Sequence, residues 1–151
     1  MILAIDPANI ESAYVIMDND CKPLEIGKVE NDILSQILSK NRDYVDKVVI
    51  EMIASYGMAV GKTVFDTCVW IGRFTEIAGA EKTKYVYRGD VKMNLCKSMR
   101  AKDTNIRQAL IDRFGVVGVK KDKGFFYGFK ADIWAAYAVG VTYLDTKENY
   151  V

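Results

Sequence analysis

The chain has 151 residues, half of them hydrophobic, a formal net charge of +1 and no histidine. This length predicts a single domain spanning residues 1–151, and no stretch approaches the roughly 18 consecutive apolar residues of a membrane span. The lack of histidine excludes a histidine general base, a Ser-His-Asp triad and histidine-ligated zinc. We expect a cytoplasmic protein, because the first residues enter structure without a basic leader.

The charges are distributed unevenly along the chain. Residues 82–130 hold 13 Lys or Arg against 4 Asp, whereas the remainder holds 8 basic and 16 acidic residues. A basic half on a near-neutral protein predicts a face that binds a polyanion. The alternative is that these lysines and arginines only make exposed helix faces soluble.

The three cysteines are Cys21, Cys68 and Cys96, which lie far apart and form no C-x-x-C pair. Neither a disulfide framework nor a zinc site is indicated. We predict that all three are reduced, buried thiols.

The first third of the chain predicts three short antiparallel strands at residues 2–5, 12–17 and 24–29, the third at a sheet edge. A helix follows, capped by Asn31 or Asp32, and then a buried fourth strand at residues 48–50. Residues 64–78 predict a long amphipathic helix with Val64, Cys68, Ile71, Thr75 and Ala78 on its apolar face.

The second half predicts a fifth strand at 84–87, helical segments at 90–98 and 104–114, a surface loop at 115–128, and a buried helix at 131–143. Three antiparallel strands followed by β-α-β units, flanked by helices, give an α/β chain with a five-stranded mixed sheet. This order is that of the ribonuclease H-like fold.

Three carboxylates stand at positions that suggest a metal site. Asp6 ends the first apolar strand, Glu51 ends the fourth, and Asp132 lies in the first turn of the final helix. Strands one and four are neighbours in the ribonuclease H-like order, so we expect Asp6 and Glu51 to lie side by side with Asp132 completing the site. Hard oxygen ligands favour Mg²⁺, with Mn²⁺ as substitute, and two such ions roughly 3.5–4 Å apart can cleave a phosphodiester.

Each acid also has a possible structural role. Asp6 precedes Pro7 and suits a turn, Asp132 suits a helix start, and Glu51 could pair with a lysine beside the following loop. The coincidence of all three at the places that one metal site requires favours the metal interpretation.

Three segments resemble the RuvC-type Holliday-junction resolvases, and in its compactness the chain is similar to their phage-encoded branch. They are the opening Ile2-Leu3-Ala4-Ile5-Asp6-Pro7, then Val49-Ile50-Glu51 followed by a small-residue loop and Gly61-Lys62, and the final Asp132-Ile133-Trp134-Ala135-Ala136. The resemblance implies a homodimer that binds four-way junctions, forks or flaps. It also implies Mg²⁺-dependent nicking that leaves 5′-phosphate ends, and no nucleotide cofactor. For a phage protein, the compartment is the host cytoplasm.

One departure from this family concerns its last helix, which usually carries two acids three residues apart. If Asp132 matches the first acid, its partner position is Ala135; if it matches the second, the earlier position is Phe129. Either way one carboxylate is missing.

The resemblance and the basic half together predict the DNA-binding residues. Phosphate contacts are expected from lysines and arginines near the active-site loop, after strand five and before the fourth helix, and Tyr56 in the loop after Glu51 is expected to stack on a base. The predicted set is Tyr56, Lys62, Arg88, Lys92, Lys97, Arg100 and Lys102.

Other functions remain to be weighed against a junction endonuclease. The missing acid allows a branched-DNA-binding protein with weak or lost cleavage, and the carboxylates alone also suit a ribonuclease H that cuts hybrids. The length of 151 residues argues strongly against an actin-like ATPase, since that fold duplicates its domain. The long helix offers a dimer surface through Val69, Trp70, Arg73 and Phe74, and the same pattern is also typical of a buried core face.

Overall fold

The computed structural model describes residues 1–150, without the side chain of Tyr150, and its central feature is a five-stranded mixed sheet. The spatial order of the strands is β3-β2-β1-β4-β5. β2 pairs antiparallel with β1 and β3, and β4 pairs parallel with β1 and β5. The predicted mixed sheet, with its third strand at an edge, is confirmed. The strands are β1 (Ile2–Asp6), β2 (Glu11–Met17), β3 (Pro23–Glu30), β4 (Lys47–Met52) and β5 (Thr83–Tyr87).

Helices cover both faces of this sheet and create two separate hydrophobic cores. One core contains apolar residues of the first two helices, and the other contains those of the last three. The helices are α1 (Asn31–Asn41), α2 (Lys62–Ala78), α3 (Arg88–Cys96), α4 (Asp103–Phe114) and α5 (Ile133–Thr146). None of the helices in the described part of the chain is long and apolar enough to cross a membrane.

The alternation of side chains along the central strands decides which core each residue joins. Leu3 and Ile5 of β1 pack in the α1–α2 core, whereas Ile2 of β1 and Val49 of β4 pack in the core of α3, α4 and α5. Successive side chains of a strand point to opposite faces. Asp6 and Glu51 therefore lie on the α5 side of the sheet.

Helix α5 packs directly on the sheet at Gly140, where there is no room for a side chain. A Cβ at this position would stand 2.4 Å from Met17 Sδ and 3.1 Å from the Cβ of Ala4. At the same helix, the Tyr137 hydroxyl donates a hydrogen bond to the Cys21 carbonyl at 2.7 Å. These contacts fix α5 over β1 and β2, and so bring its first residues towards the carboxyl end of β1.

The segment predicted as a surface loop at 115–128 is more structured than expected. It contains a small hairpin of β6 (Gly118–Val119) and β7 (Asp122–Lys123), after which Phe126 is fully buried. The Phe126 ring contacts Phe129, Trp134 and Tyr137. The prediction was wrong because glycines and lysines dominate the local sequence, while its phenylalanines belong to the core.

Two further predictions need correction. Cys21 is buried, but Cys96 is only partly buried and Cys68 is exposed. Helix α2 is rotated relative to the predicted apolar face, because Thr67 and Phe74 are buried in place of Val64 and Cys68. As Phe74 is fully buried, it cannot contribute to a dimer surface, whereas Val69 is exposed.

Candidate metal and DNA-binding site

Asp6 and Glu51 meet at the carboxyl ends of two neighbouring parallel strands. Ile5 of β1 is paired in register with Ile50 of β4, and each acid is the next residue of its strand. The two carboxyl groups are close enough for each to shift the pKa of the other. The predicted neighbourhood of Asp6 and Glu51 is thus present in the structure.

Desolvation disfavours the ionised forms of both carboxyl groups. Desolvation raises the pKa of Asp6 from 3.8 to about 8, and the charge of Glu51 and its hydrogen bond add to this effect. Desolvation also raises the pKa of Glu51, although the nearby Arg88 guanidinium opposes the shift. Neighbouring carboxyl groups with raised pKa values are frequent at functional sites.

Arg88, the first residue of α3, lies between acids of different elements. Its Nη1 is 3.8 Å from Glu51 Oε1, and its Nη2 forms an ion pair with Asp103 at the start of α4. Arg88 thus places a positive charge beside Glu51. Asp103 was not predicted as a site residue, because only the packing of α3 against α4 brings it here.

Asp132 is close to the pair but does not join it. It occupies the N-cap position of α5 without a side-chain capping hydrogen bond, and its Oδ2 accepts a hydrogen bond from Lys28 Nζ at 2.7 Å. Its charge contributes to the raised pKa values of Asp6 and Glu51. Within residues 1–150, no three acidic, histidine or cysteine side chains are grouped so that they could hold a metal ion. The structure brings together two of the three predicted ligands.

Lys28 is a site residue that the sequence interpretation missed, although the strand register contains the signal. Asp6 is paired with Ala13, and Ala13 is paired with Lys28, so the three form one row across β1, β2 and β3. A lysine two strands away from Asp6 in the same row reaches the start of α5. The strand register alone would therefore have placed Lys28 near the site.

The structure distinguishes between the two positions considered for the missing acid. Phe129 is buried among Phe126, Trp134 and Tyr137 and is part of the core. Ala135 instead lines a cavity of about 210 Å³ with Asp132, Arg88 and Asp103. Of the two positions, Ala135 is therefore the one that shares a cavity with Asp132.

The donor set fits a hard divalent cation. Asp6 and Glu51 offer adjacent carboxylate oxygens whose ionisation a cation would favour. Mg²⁺ is commonly held by one or two carboxylates together with substrate phosphates, so two protein ligands are enough for one ion.

The predicted DNA-binding residues divide into two groups. Tyr56, Arg88 and Lys92 line a cavity of about 530 Å³ that also contains Asp6 and Glu51. Outside this lining, Lys62 pairs with Asp66 at 2.6 Å at the start of α2, and the other three are exposed around the connection between α3 and α4. Those three are Lys97, Arg100 and Lys102.

Comparisons with known proteins agree on the fold. No protein-family model and no curated protein sequence matches the chain. Two solved structures of Thermus thermophilus RuvC are similar to it, each at 12% sequence identity. One, RuvC in complex with a Holliday-junction substrate, has a TM-score of 0.68 over 94% of this chain and 91% of that chain. The other, RuvC, has a TM-score of 0.70 over 98% of this chain and 96% of that chain. The chain therefore has the ribonuclease H-like fold of the RuvC Holliday-junction resolvases.

Proposed function

We propose that this protein is a Mg²⁺-dependent endonuclease that nicks four-way junctions and other branched DNA and leaves 5′-phosphate ends. The observation that supports it most directly is the partly buried pair of Asp6 and Glu51 at the ends of adjacent strands, with Arg88 beside it. In open α/β sheets, ligands bind beyond the carboxyl ends of strands. The similar RuvC structure that contains a Holliday junction supports the choice of branched DNA.

In this proposal, Asp6 and Glu51 would hold the divalent cation, which would favour the ionised form of both carboxyl groups. Bound Mg²⁺ or Mn²⁺ would acidify an attacking water and stabilise charge on the leaving oxygen. Asp132 would add a third carboxylate after separating from Lys28. The ion pair between Asp132 and Lys28 is exposed, and such pairs contribute little to stability. A second ion would depend on Asp132, since the first two acids already serve one cation.

The cations of the site would hold the DNA backbone. Arg88 can exchange its contact with Glu51 for a phosphate oxygen, and Lys92 lies one helical turn further along α3 on the same cavity wall. Lys62, Lys97, Arg100 and Lys102 would bind phosphates further from the cut. Such contacts give affinity without sequence preference.

A homodimer is part of the proposal because a four-way junction offers two equivalent strands. Phe65 and Val69 are large apolar residues that α2 leaves exposed on one side. A twofold contact through this face would give one active site for each of the two strands. Sedimentation of the free protein tests it, and a monomer at micromolar concentration would contradict it. That the protein is cytoplasmic and phage-encoded remains a prediction.

The experiment compares nicking of a synthetic four-way junction, a duplex of the same sequence and an RNA–DNA hybrid. Each is incubated with the wild type and with Glu51→Gln in Mg²⁺, Mn²⁺ or Ca²⁺. We expect junction nicking by the wild type in Mg²⁺ and Mn²⁺, and none by the variant. Tight junction binding without any cleavage, or cleavage of the hybrid alone, would contradict the proposal.

A further inference from the structure

A recess on the β3 side of the carboxylate pair carries positive charge. Its volume is about 350 Å³, and it is lined by Lys28, Lys130, two glycines and three apolar residues of β3 and of the segment around the start of α5. Among the described residues that line it there is no aspartate or glutamate, in contrast to the two cavities that Arg88 lines. A recess with two ammonium groups and no acid of its own is suited to an anion.

The two lysines of this recess differ in what they contact. Lys28 Nζ donates its 2.7 Å hydrogen bond to Asp132, and both of these side chains remain open to solvent. Lys130 is exposed, and its side chain forms no ion pair or hydrogen bond within the described part of the chain. An anion in the recess would therefore meet one unpaired ammonium group and one that is shared with Asp132.

Lys28 connects the recess with the acids. It lines the recess, whereas Asp132 lines the separate cavity of about 210 Å³ on the other side of the start of α5. The lysine side chain is flexible, and its ammonium group has three donors. Its Nζ can therefore leave Asp132 for an anion in the recess by side-chain rotation, while the pairing of β3 with β2 stays intact.

The turn in front of α5 is held in an uncommon conformation beside the recess. Ala131 lines the recess and has φ +48°, in the left-handed region that residues other than glycine seldom adopt. Such a conformation persists where surrounding contacts maintain it. The hydrogen bond from Lys28 to Asp132, the next residue, ties this turn to β3. Loss of that bond would free the residue whose carboxylate has to reach the pair.

The exchange of partners is close to balanced, so a bound phosphate can decide it. An exposed ion pair such as that of Lys28 and Asp132 contributes little to stability. A backbone phosphate in the recess would meet two ammonium groups in place of one. Asp132 is already near enough for its charge to raise the pKa of Asp6 and of Glu51, and a cation bound between them would attract it.

We propose that DNA binding itself completes the metal site: a backbone phosphate enters this recess, takes Lys28 from Asp132, and so frees Asp132 to join the carboxylate pair. The inference rests on the proposed function and adds its regulation. Lys28 is a positioning residue, since it acts through Asp132. The protein then binds divalent ions more tightly when DNA is in place, and by linkage binds DNA more tightly when ions are present.

The test is a double-mutant cycle on the affinity for a four-way junction. It is carried out with a chelator, so that neither metal binding nor cleavage contributes. Asp132→Asn is introduced into the wild type, into Lys28→Gln and into Lys22→Gln. The last is the matched control, because Lys22 is an exposed lysine just before β3. Circular dichroism establishes that each protein is folded.

We expect the effect of Asp132→Asn to depend on Lys28. In the wild type and in Lys22→Gln it should tighten junction binding about 3- to 5-fold, because the freed ammonium group can hold a phosphate. In Lys28→Gln it should change the affinity by less than about 1.5-fold, since no ammonium group is left to free. Lys130→Gln should weaken binding and reduce its salt dependence by about one phosphate contact.

The loss of a negative charge near DNA would by itself tighten binding by the same factor in all three backgrounds. An equal gain in all three would therefore overturn the inference, as would a gain in none. Failure of the proposed function looks different, because the wild type would then show no preference for the junction over a duplex and no nicking in Mg²⁺. A protein that binds no DNA would contradict both.

Discussion

The acids on the strands and the acid on the helix differ in how firmly the fold holds them. Asp6 and Glu51 end two paired strands, and the Glu51 side chain is only 14% exposed. Asp132 stands at the first turn of α5, is 51% exposed and contacts Lys28. Backbone pairing fixes the first two, whereas a side-chain rotation alone would redirect the third. The site thus combines a rigid pair with an adjustable acid.

The largest effect is expected from replacing one acid of the rigid pair. Asp6→Asn should reduce Mg²⁺-dependent junction nicking by more than about 100-fold, since even outer-shell partners of metal ligands are worth 10–100-fold. Asp132→Asn should reduce it about 10-fold, because two carboxylates and phosphate can still hold one ion. Initial nicking rates measure both, with Glu76→Gln, an exposed acid on α2, as control. If Asp6→Asn and Asp132→Asn lose the same fraction of the nicking rate, the distinction between rigid and adjustable acids is wrong.

A second test of the difference between the rigid pair and Asp132 is to add a carboxylate beside Asp132. Ala135→Asp places a carboxylate in the cavity that Asp132 and Arg88 line. We expect nicking to rise about 10-fold or more and the number of bound Mn²⁺ ions per chain to increase, because hard ions prefer additional oxygen ligands. Calorimetric titration with Mn²⁺ measures the second quantity. Ala135→Asn is the control, and an equal gain from it would show that charge plays no part.

The rigid pair should also make stability depend on pH. Because the folded pKa of Asp6 is about 8 and its ordinary value is 3.8, the folded state binds a proton that the unfolded state has lost between these values. The free energy of unfolding of the ion-free protein should therefore fall as pH rises from about 4 to about 8. The raised pKa of Glu51 acts in the same direction.

Urea unfolding with a chelator at pH 5 and pH 8 measures this slope. Asp6→Asn should flatten it and leave the protein more stable than the wild type at pH 8, whereas Glu76→Gln should preserve the slope. A wild type that gains stability between these two pH values would contradict the assignment of a buried proton to the pair.

The smallest effect concerns the contact that holds Asp132 away from the pair. Lys28→Gln removes the 2.7 Å hydrogen bond to Asp132. Exposed ion pairs are worth up to about 1 kcal/mol, so Mn²⁺ should bind about 2- to 5-fold more tightly. Lys22→Gln, a change at an exposed lysine before β3, controls for the lost charge. Weaker Mn²⁺ binding by Lys28→Gln would mean that Lys28 supports the site instead of restraining it.

The strand-borne part of the site could be predicted from the sequence because local pattern decides it. An apolar run ending in an acid places that acid at the end of a buried strand, and the order of elements makes strands one and four neighbours. The positions of Asp6 and Glu51 could therefore be predicted without any knowledge of side-chain contacts.

The remainder depends on tertiary packing, which local pattern does not contain. Lys28 reaches Asp132 only through the register of three strands, and Asp103 reaches Arg88 only through the packing of two helices. Phe126 was assigned to a loop because its neighbours are glycines and lysines, although its burial comes from aromatic rings of α5. Asp132 was predicted as a metal ligand from its place at the start of the last helix, but its carboxylate is hydrogen-bonded to Lys28.

The placement of α5 against the start of the sheet has a consequence for synthesis of the protein. Asp132 follows Asp6 and Glu51 along the chain, and α5 cannot dock on β1 before it has been translated. Under the proposed function, the rigid pair is therefore assembled from earlier parts of the chain than the adjustable acid, which reaches the site only when α5 has docked.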